Sequence, residues 1–92
     1  MIKSFNHKGL EFFFTTGSIK GINPEHTNKI RRILALLDEL TDIAEINFDS
    51  YNLHKLKGEM NSLWSVKVNG NWRITFEFKD ENVYIVDYQD YH

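Results

Sequence analysis

Residues 64–78, which read WSVKVNGNWRITFEF, decide the fold. On each side of Asn69-Gly70, apolar residues alternate with polar ones. A period of two is typical of a strand that buries one face, and Asn-Gly between two such runs is a strong signal for a tight hairpin turn. The stretch therefore predicts two antiparallel strands joined by a short turn.

The length of that turn decides which side chains share a face. A two-residue turn pairs Val68 with Asn71 and mixes apolar with polar side chains on both faces. A three-residue turn over residues 69–71 pairs Val68 with Trp72 and Val66 with Ile74. Because only the second register gives one continuous apolar face, we expect the three-residue turn.

Lys67 lies opposite Arg73 in the expected register, on the polar face of the sheet. Like charges that face each other across a strand pair are destabilising. An anion near both side chains would relieve the repulsion, although solvent screening would also weaken it. The pair is a weak indication of a bound anion, strengthened by the expected position of Arg73 in a central strand.

A long amphipathic helix is predicted upstream of the hairpin. Asn23 is a suitable N-cap and Pro24 fits the first helical position. Apolar residues then recur at helical spacing and form a stripe that faces a core. The stripe consists of Ile30, Ile33, Leu34, Leu37 and Leu40.

A shorter helix is predicted over residues 7–16, with Asn6 as its cap and Gly17 as its stop. Leu10, Phe13 and Phe14 are expected to share one face of it. Thr41 is expected to cap a further turn that runs to residue 46.

Strands are also predicted at residues 2–5 and 83–88, where β-branched and aromatic residues are frequent. The predicted order is β-α-α-β-β-β. We expect an α+β domain whose helices pack on one face of an antiparallel sheet.

Size and composition suit one domain, residues 1–92. The chain is 41% hydrophobic and 14% aromatic, which is enough for one modest core. Without cysteine it can form no disulfide and no thiolate metal site. No apolar run approaches the roughly 18 residues of a membrane span, and the N-terminus lacks the apolar core of a signal peptide. We expect a soluble cytoplasmic protein.

The net charge of −2 argues against a nucleic-acid binder that relies on bulk charge. The charges are unevenly distributed, however. Residues 54–79 contain five basic and two acidic residues, whereas residues 38–49 contain five acidic residues and no Lys or Arg. A local basic patch indicates a specific anionic partner.

The candidate chemistry lies at His54 and at the chain end, Asp90-Tyr91-His92. His7 and His26 are expected at the surface, near helix starts. The chain contains no His-x-x-x-His spacing, so neither a metal nor another cofactor is predicted. For His54 the alternative is a structural role, and for the chain end it is a solvated polar tail.

Together with Lys57 and Arg73, the two sites supply the groups for metal-free cleavage of a phosphodiester. That reaction needs a base for the 2′-hydroxyl, an acid for the departing 5′ oxygen and cations for the phosphate. Histidine ordinarily titrates near neutral pH, so a pair of histidines can act as base and acid. Arg can meet the phosphate with two parallel hydrogen bonds, and Tyr91 could stack on a base or donate to the phosphate.

The chain resembles HigB-type toxins of the RelE/ParE superfamily of bacterial toxin–antitoxin modules. The resemblance spans the chain and is carried by four segments, MIKSF at 1–5, YNLHKLKG at 51–58, NWRITF at 71–76 and DYQDYH at 87–92. It implies an endonuclease that cuts mRNA on the ribosome, docks on the small-subunit rRNA, and is silenced by a HigA-like helix-turn-helix antitoxin.

The resemblance also implies roles for individual residues. Its catalytic positions correspond to His54, Asp90, Tyr91 and His92 of this chain. Its RNA and phosphate contacts correspond to Lys57 and Arg73, and we add Lys67 and Lys55 as neighbouring cations.

Two other functions stay open at this point. One is a non-enzymatic toxin of the same superfamily that binds a target such as DNA gyrase. The other is a plain interaction module in which these residues are only surface. The paired histidines and the terminal Asp-Tyr-His favour the enzyme, because a binding protein has no need of proton-transfer groups beside basic residues.

Overall fold

The computed structural model describes residues 1–47, 49–57 and 63–91. The helices in these ranges are α1 (Lys8–Thr16) and α2 (Thr27–Asp38), and the strands are β1 (His54–Lys55), β2 (Leu63–Asn69), β3 (Trp72–Lys79) and β4 (Asn82–Asp90). Short 3₁₀ segments occur at Pro24–His26, Ile43–Ile46 and Asp49–Tyr51. None of the helices described is both long enough and apolar enough to cross a membrane.

The strands form an antiparallel sheet in the order β1-β2-β3-β4. This arrangement confirms the predicted α+β fold, with two differences. The predicted first strand is reduced to two isolated bridges, Ile2 to Val83 and Phe5 to Val86, which run parallel to β4. The short strand β1 was not expected from the sequence.

The hairpin has the expected register but a different turn. Val66 lies opposite Ile74 and Lys67 lies opposite Arg73, as predicted. The next pair, however, is Asn69 with Trp72, so Val68 is an extra residue in a β-bulge. The bulge restores the parity that a two-residue turn would otherwise break, and the expected pairing of Val68 with Trp72 is therefore wrong.

The turn itself consists of Gly70 and Asn71. Gly70 has φ +57°. A positive φ at the first position is typical of the mirror-image hairpin turns, and glycine adopts it without steric cost. Gly70 is therefore the residue with a positive φ in this turn.

The core lies between the helices and one face of the sheet. All five residues of the predicted α2 stripe are buried, and Val66, Ile74 and Phe76 meet them from the sheet. From α1, Leu10 and Phe13 are buried, but Phe14 is 37% exposed and lies against the Phe5 ring. The prediction that Phe14 shares the buried face is wrong.

Three helical segments begin with side-chain caps. The cap of α1 is His7, whose Nδ1 accepts from the Leu10 N–H at 3.0 Å, and not the expected Asn6. Asn23 caps the 3₁₀ turn that precedes α2. Asp42 and not Thr41 caps the segment Ile43–Ile46.

Glu45 completes a capping box with Asp42. The backbone N–H groups of Thr41 and Asp42 donate to its carboxylate, and these bonds lower the pKa of Glu45.

His26 is buried, with 3% of its surface exposed, which corrects the expectation of a surface position. Its Nδ1 lies 2.6 Å from the Tyr88 hydroxyl. The hydroxyl and the imidazole share this hydrogen bond, and burial raises the pKa of Tyr88. The Tyr88 ring also stacks on Trp72 at 4.5 Å between centroids. These contacts tie the start of α2 to the ends of β3 and β4.

We expect Tyr88→Phe to lower the free energy of unfolding by about 1–3 kcal/mol, because the buried His26 would lose its hydrogen-bond partner. Chemical denaturation at neutral pH measures this loss. Tyr84→Phe is the matched control, at a half-buried tyrosine of the same strand. Equal stability of the two variants would show that the His26–Tyr88 bond contributes nothing net.

Candidate active site

An open cavity of about 370 Å³ lies over the polar side of the sheet. The side chains of Ser65 and Arg73 belong to this side, since they alternate with the core residues Val66 and Ile74. The residues that line the cavity are Asn52, His54, Lys55, Leu56, Lys57, Ser65, Arg73 and Tyr91. The predicted residues His54, Lys55, Lys57, Arg73 and Tyr91 are therefore brought together.

β1 brings His54 to the cavity. His54 pairs with Ser65 of β2, and Ser65 pairs with Thr75 of β3. Because paired residues of antiparallel strands share a face, the imidazole lies on the same side of the sheet as Arg73. A two-residue edge strand, which the sequence did not predict, therefore places His54 on the polar face.

One nitrogen of the His54 ring is already bonded. Its Nδ1 lies 2.8 Å from the backbone carbonyl oxygen of Asn52. A carbonyl oxygen can only accept, so Nδ1 carries the hydrogen of this bond. In the neutral ring the lone pair then belongs to Nε2, and Nε2 can accept a proton from a bound molecule.

Arg73 is half-buried and is held by the hairpin turn. One of its terminal nitrogens donates to the carbonyl oxygens of Gly70 at 2.8 Å and Trp72 at 3.1 Å. These bonds fix the direction of the guanidinium. Its other N–H groups have the geometry that matches two oxygens of a phosphate.

The backbone N–H of Tyr91 donates to the Asn71 carbonyl at 2.8 Å, one residue beyond β4. This bond extends the pairing with β3 and holds the half-buried Tyr91 at the cavity. The strand predicted at residues 83–88 is thus present and leads to Tyr91. His92, the last of the predicted catalytic residues, lies outside the residues that the structure describes.

Asp90 does not line the cavity. It lies opposite Trp72 in the sheet, and alternation puts it on the side of Tyr88, which faces the helices. Its negative charge is close enough to raise the pKa of Tyr88 further, after the larger effect of burial. Asp90 and Tyr91 are adjacent in the sequence, but their side chains lie on opposite sides of the sheet because neighbours in extended chain alternate between its faces.

Two of the predicted lysines also lie apart from the cavity centre. Lys67 faces Arg73 across the hairpin, as predicted, but does not line the cavity. Lys55 lines it, yet its ammonium lies 5.5 Å from the centre of the Trp64 ring. Lys57 and Arg73 are consequently the cations best placed for an anion in the cavity.

Three lining residues were not predicted, namely Asn52, Leu56 and Ser65. The alternation of side chains along β2 was sufficient to place Ser65 on the polar side, because its neighbours Trp64 and Val66 lie on the other side. Asn52 has φ +49°, a left-handed conformation that asparagine tolerates better than most residues. Its position two residues before His54 was the available indication that Asn52 lies near the cavity.

The cavity combines an imidazole with a lone pair on Nε2, a fixed guanidinium and a lysine. Among the described residues, no three His, Asp or Glu side chains converge in a way that could hold a metal ion. The arrangement can bind a phosphate diester and accept a proton from a neighbouring hydroxyl.

Two solved structures share this fold. The structure of the YoeB–YefM complex from Staphylococcus aureus matches with a TM-score of 0.65 and 18% identity, over 100% of this chain and 95% of that chain. The YoeB dimer from Staphylococcus aureus matches with a TM-score of 0.62 and 16% identity, over 99% and 94% of the two chains.

The family follows from the sequence comparisons. The model of the family described as "RelE-like toxin of type II toxin-antitoxin system HigB" matches residues 3–92. A curated protein of Proteus vulgaris, Endoribonuclease HigB, is 45% identical over 92 residues, which is 100% of both chains. The chain belongs to the HigB-like family of RelE-like toxins.

Proposed function

We propose that this toxin cleaves mRNA on the ribosome at the cavity around His54, by attack of a 2′-hydroxyl on the adjacent phosphodiester. The protein is an endoribonuclease, as its full-length relative from Proteus vulgaris is named. The observation that carries the proposed site is the bond from His54 Nδ1 to the Asn52 carbonyl. It leaves Nε2 to accept a proton in the same cavity that Lys57 and Arg73 line.

In the first part of the reaction His54 acts as the base. Its Nε2 takes the proton of the 2′-hydroxyl, and the 2′ oxygen attacks phosphorus. The bond from phosphorus to the 5′ oxygen breaks, and the product is a 2′,3′-cyclic phosphate. Arg73 and Lys57 stabilise the negative charge that develops on the phosphate oxygens.

The departing 5′ oxygen needs a proton, and we assign His92 as the donor of that proton. Tyr91, which lines the cavity, stacks on a base or donates to the phosphate. Lys55 and Lys67 extend the cationic surface along the RNA. Asp90 lies on the opposite side of the sheet, so it contributes to catalysis indirectly, by holding the end of β4 in position. No metal ion or other cofactor takes part.

The ribosome supplies what a small acidic protein lacks. With a net charge of −2, the chain has little general attraction for RNA. Docking on the small-subunit rRNA holds the message in the cavity and so provides the orientation that accelerates the reaction. The protein accordingly acts in the cytoplasm.

Its second partner is an antitoxin, as membership of a type II toxin–antitoxin family implies. We propose a helix-turn-helix protein of the HigA kind. YoeB, which has the same fold, is known in a complex with YefM. The name of the Proteus relative favours RNA cleavage over the alternative of a toxin that binds DNA gyrase.

Purified protein should cut mRNA rapidly on translating ribosomes and slowly in free solution. The new ends should carry 2′,3′-cyclic phosphates, which end-labelling and mass spectrometry identify. His54→Ala should slow the cleavage about 10²–10⁴-fold, the usual contribution of a general base. Fast cutting of naked mRNA, or 3′-hydroxyl ends, would contradict the mechanism.

Arg73→Ala should remove most cleavage and leave the fold intact. Arg73→Lys should also be clearly impaired, because an ammonium cannot make the two parallel bonds of a guanidinium. Single-turnover rates on ribosome-bound mRNA measure both effects. The control is Lys79→Ala, at an exposed cation near the other end of β3. If Arg73→Ala cleaves as fast as Lys79→Ala, Arg73 does not contact the reacting phosphate.

Deletion of His92 should abolish growth arrest and mRNA cleavage with little change in thermal stability. His92→Gln should have nearly the same effect, because glutamine forms hydrogen bonds but does not titrate. Induction of each variant, with mapping of mRNA ends, tests this assignment. Persistence of the same mRNA ends after the deletion would remove His92 from the mechanism.

A further inference from the structure

We infer that Asn52 is a positioning residue, which fixes the tautomer and the direction of His54 through its backbone carbonyl. The inference deepens the proposed function and depends on it only for the role of His54 as the base. The tautomer itself can be measured in the protein without RNA. The two parts can therefore fail separately.

Asn52 lies in a short connection between two fixed points. On one side Tyr51 is buried in the core, with 8% of its surface exposed. On the other side His54 pairs with Ser65 at the edge of the sheet. Only Asn52 and Leu53 join these points, and Leu53 packs against the core.

This connection contains a residue in the left-handed conformation. Asn52 has φ +49°, which most residues with a side chain adopt only at a steric cost. Asparagine tolerates the conformation and glycine adopts it freely. The same residue provides the carbonyl oxygen that lies 2.8 Å from His54 Nδ1. A change in its backbone conformation would therefore turn the carbonyl away from the ring.

The bond selects one of the two neutral tautomers of His54. With a hydrogen on Nδ1, the ring donates to the carbonyl and presents a lone pair at Nε2. With a hydrogen on Nε2 instead, the Nδ1 lone pair would face the carbonyl oxygen, and Nε2 could not accept a proton. The Asn52 carbonyl thus decides which ring nitrogen serves as the base.

The test separates the backbone of Asn52 from its side chain. Asn52→Gly keeps the left-handed conformation and removes the amide, whereas Asn52→Val strains that conformation through its branched Cβ. Asp80→Val is a matched control at the far end of β3. Asp80 has φ +52°, and its carbonyl also accepts a side-chain bond from two residues ahead, from the Asn82 amide.

The first measurement is the ¹⁵N spectrum of the His54 imidazole, at a pH at which the ring is neutral. The wild type, Asn52→Gly and Asp80→Val should all show the tautomer with hydrogen on Nδ1. Asn52→Val should lose it. A wild-type spectrum with hydrogen on Nε2 would overturn the inference, whatever the activity of the protein.

The second measurement is the rate of cleavage on the ribosome. Asn52→Val should be slower than Asp80→Val by about 10–100-fold, the size expected when a reacting group is misdirected. Asn52→Gly should recover most of that difference. Loss of activity in Asn52→Gly with the Nδ1 tautomer intact would overturn the assignment, because the side chain would then be the important group.

His54→Ala distinguishes failure of the inference from failure of the proposed function. If His54→Ala cleaves normally, His54 is not the base, and the proposed mechanism fails even where the tautomer is as expected. If His54→Ala is inactive and Asn52→Val matches Asp80→Val in both measurements, the mechanism stands and the positioning role of Asn52 is wrong.

Discussion

The rest of the structure depends on the alternation of side chains across β2 and β3, which the bulge at Val68 keeps in step. The same two-residue turn without the bulge would bring Arg73 opposite Val68 and Ile74 opposite Lys67, and so mix the two faces. The helices need one continuous apolar face of the sheet, and the cavity needs the opposite face to be polar. A single extra residue therefore completes the core and assembles the cationic side of the site.

The same alternation divides the end of β4 between the core and the site. Tyr88 turns inward, where it bonds the buried His26 and stacks on Trp72. Tyr91 turns outward to the cavity and is held by the backbone of Asn71. Because only three positions separate these two tyrosines, packing around His26 supports the position of Tyr91, although His26 itself does not line the cavity.

The sequence predicted the structure well where a pattern extends over many residues. The α2 stripe and the pairing of Lys67 with Arg73 are such cases, since burial of the wrong face would cost the whole core. Local features were harder. A strand of two residues, such as β1, is too short to show an alternating pattern in the sequence, and it forms because it pairs with β2. The residues around His26 signal a helix start but do not indicate which side chain turns inward. The adjacent residues Asp90 and Tyr91 were predicted to share one site, whereas the alternation of the strand places Asp90 on the other side of the sheet.

The cavity shows how a chain of 92 residues can hold polar side chains in place through nearby backbone groups. His54 and Arg73 are both fixed by carbonyl oxygens at most three residues away, one in the connection before β1 and one in the hairpin turn. Such short bonds need little additional burial, which a small core could not provide. They also orient the two groups in advance, so that binding of the proposed RNA substrate would cost less conformational entropy. The geometry of the cavity therefore depends on these two short connections, and the sheet brings them together.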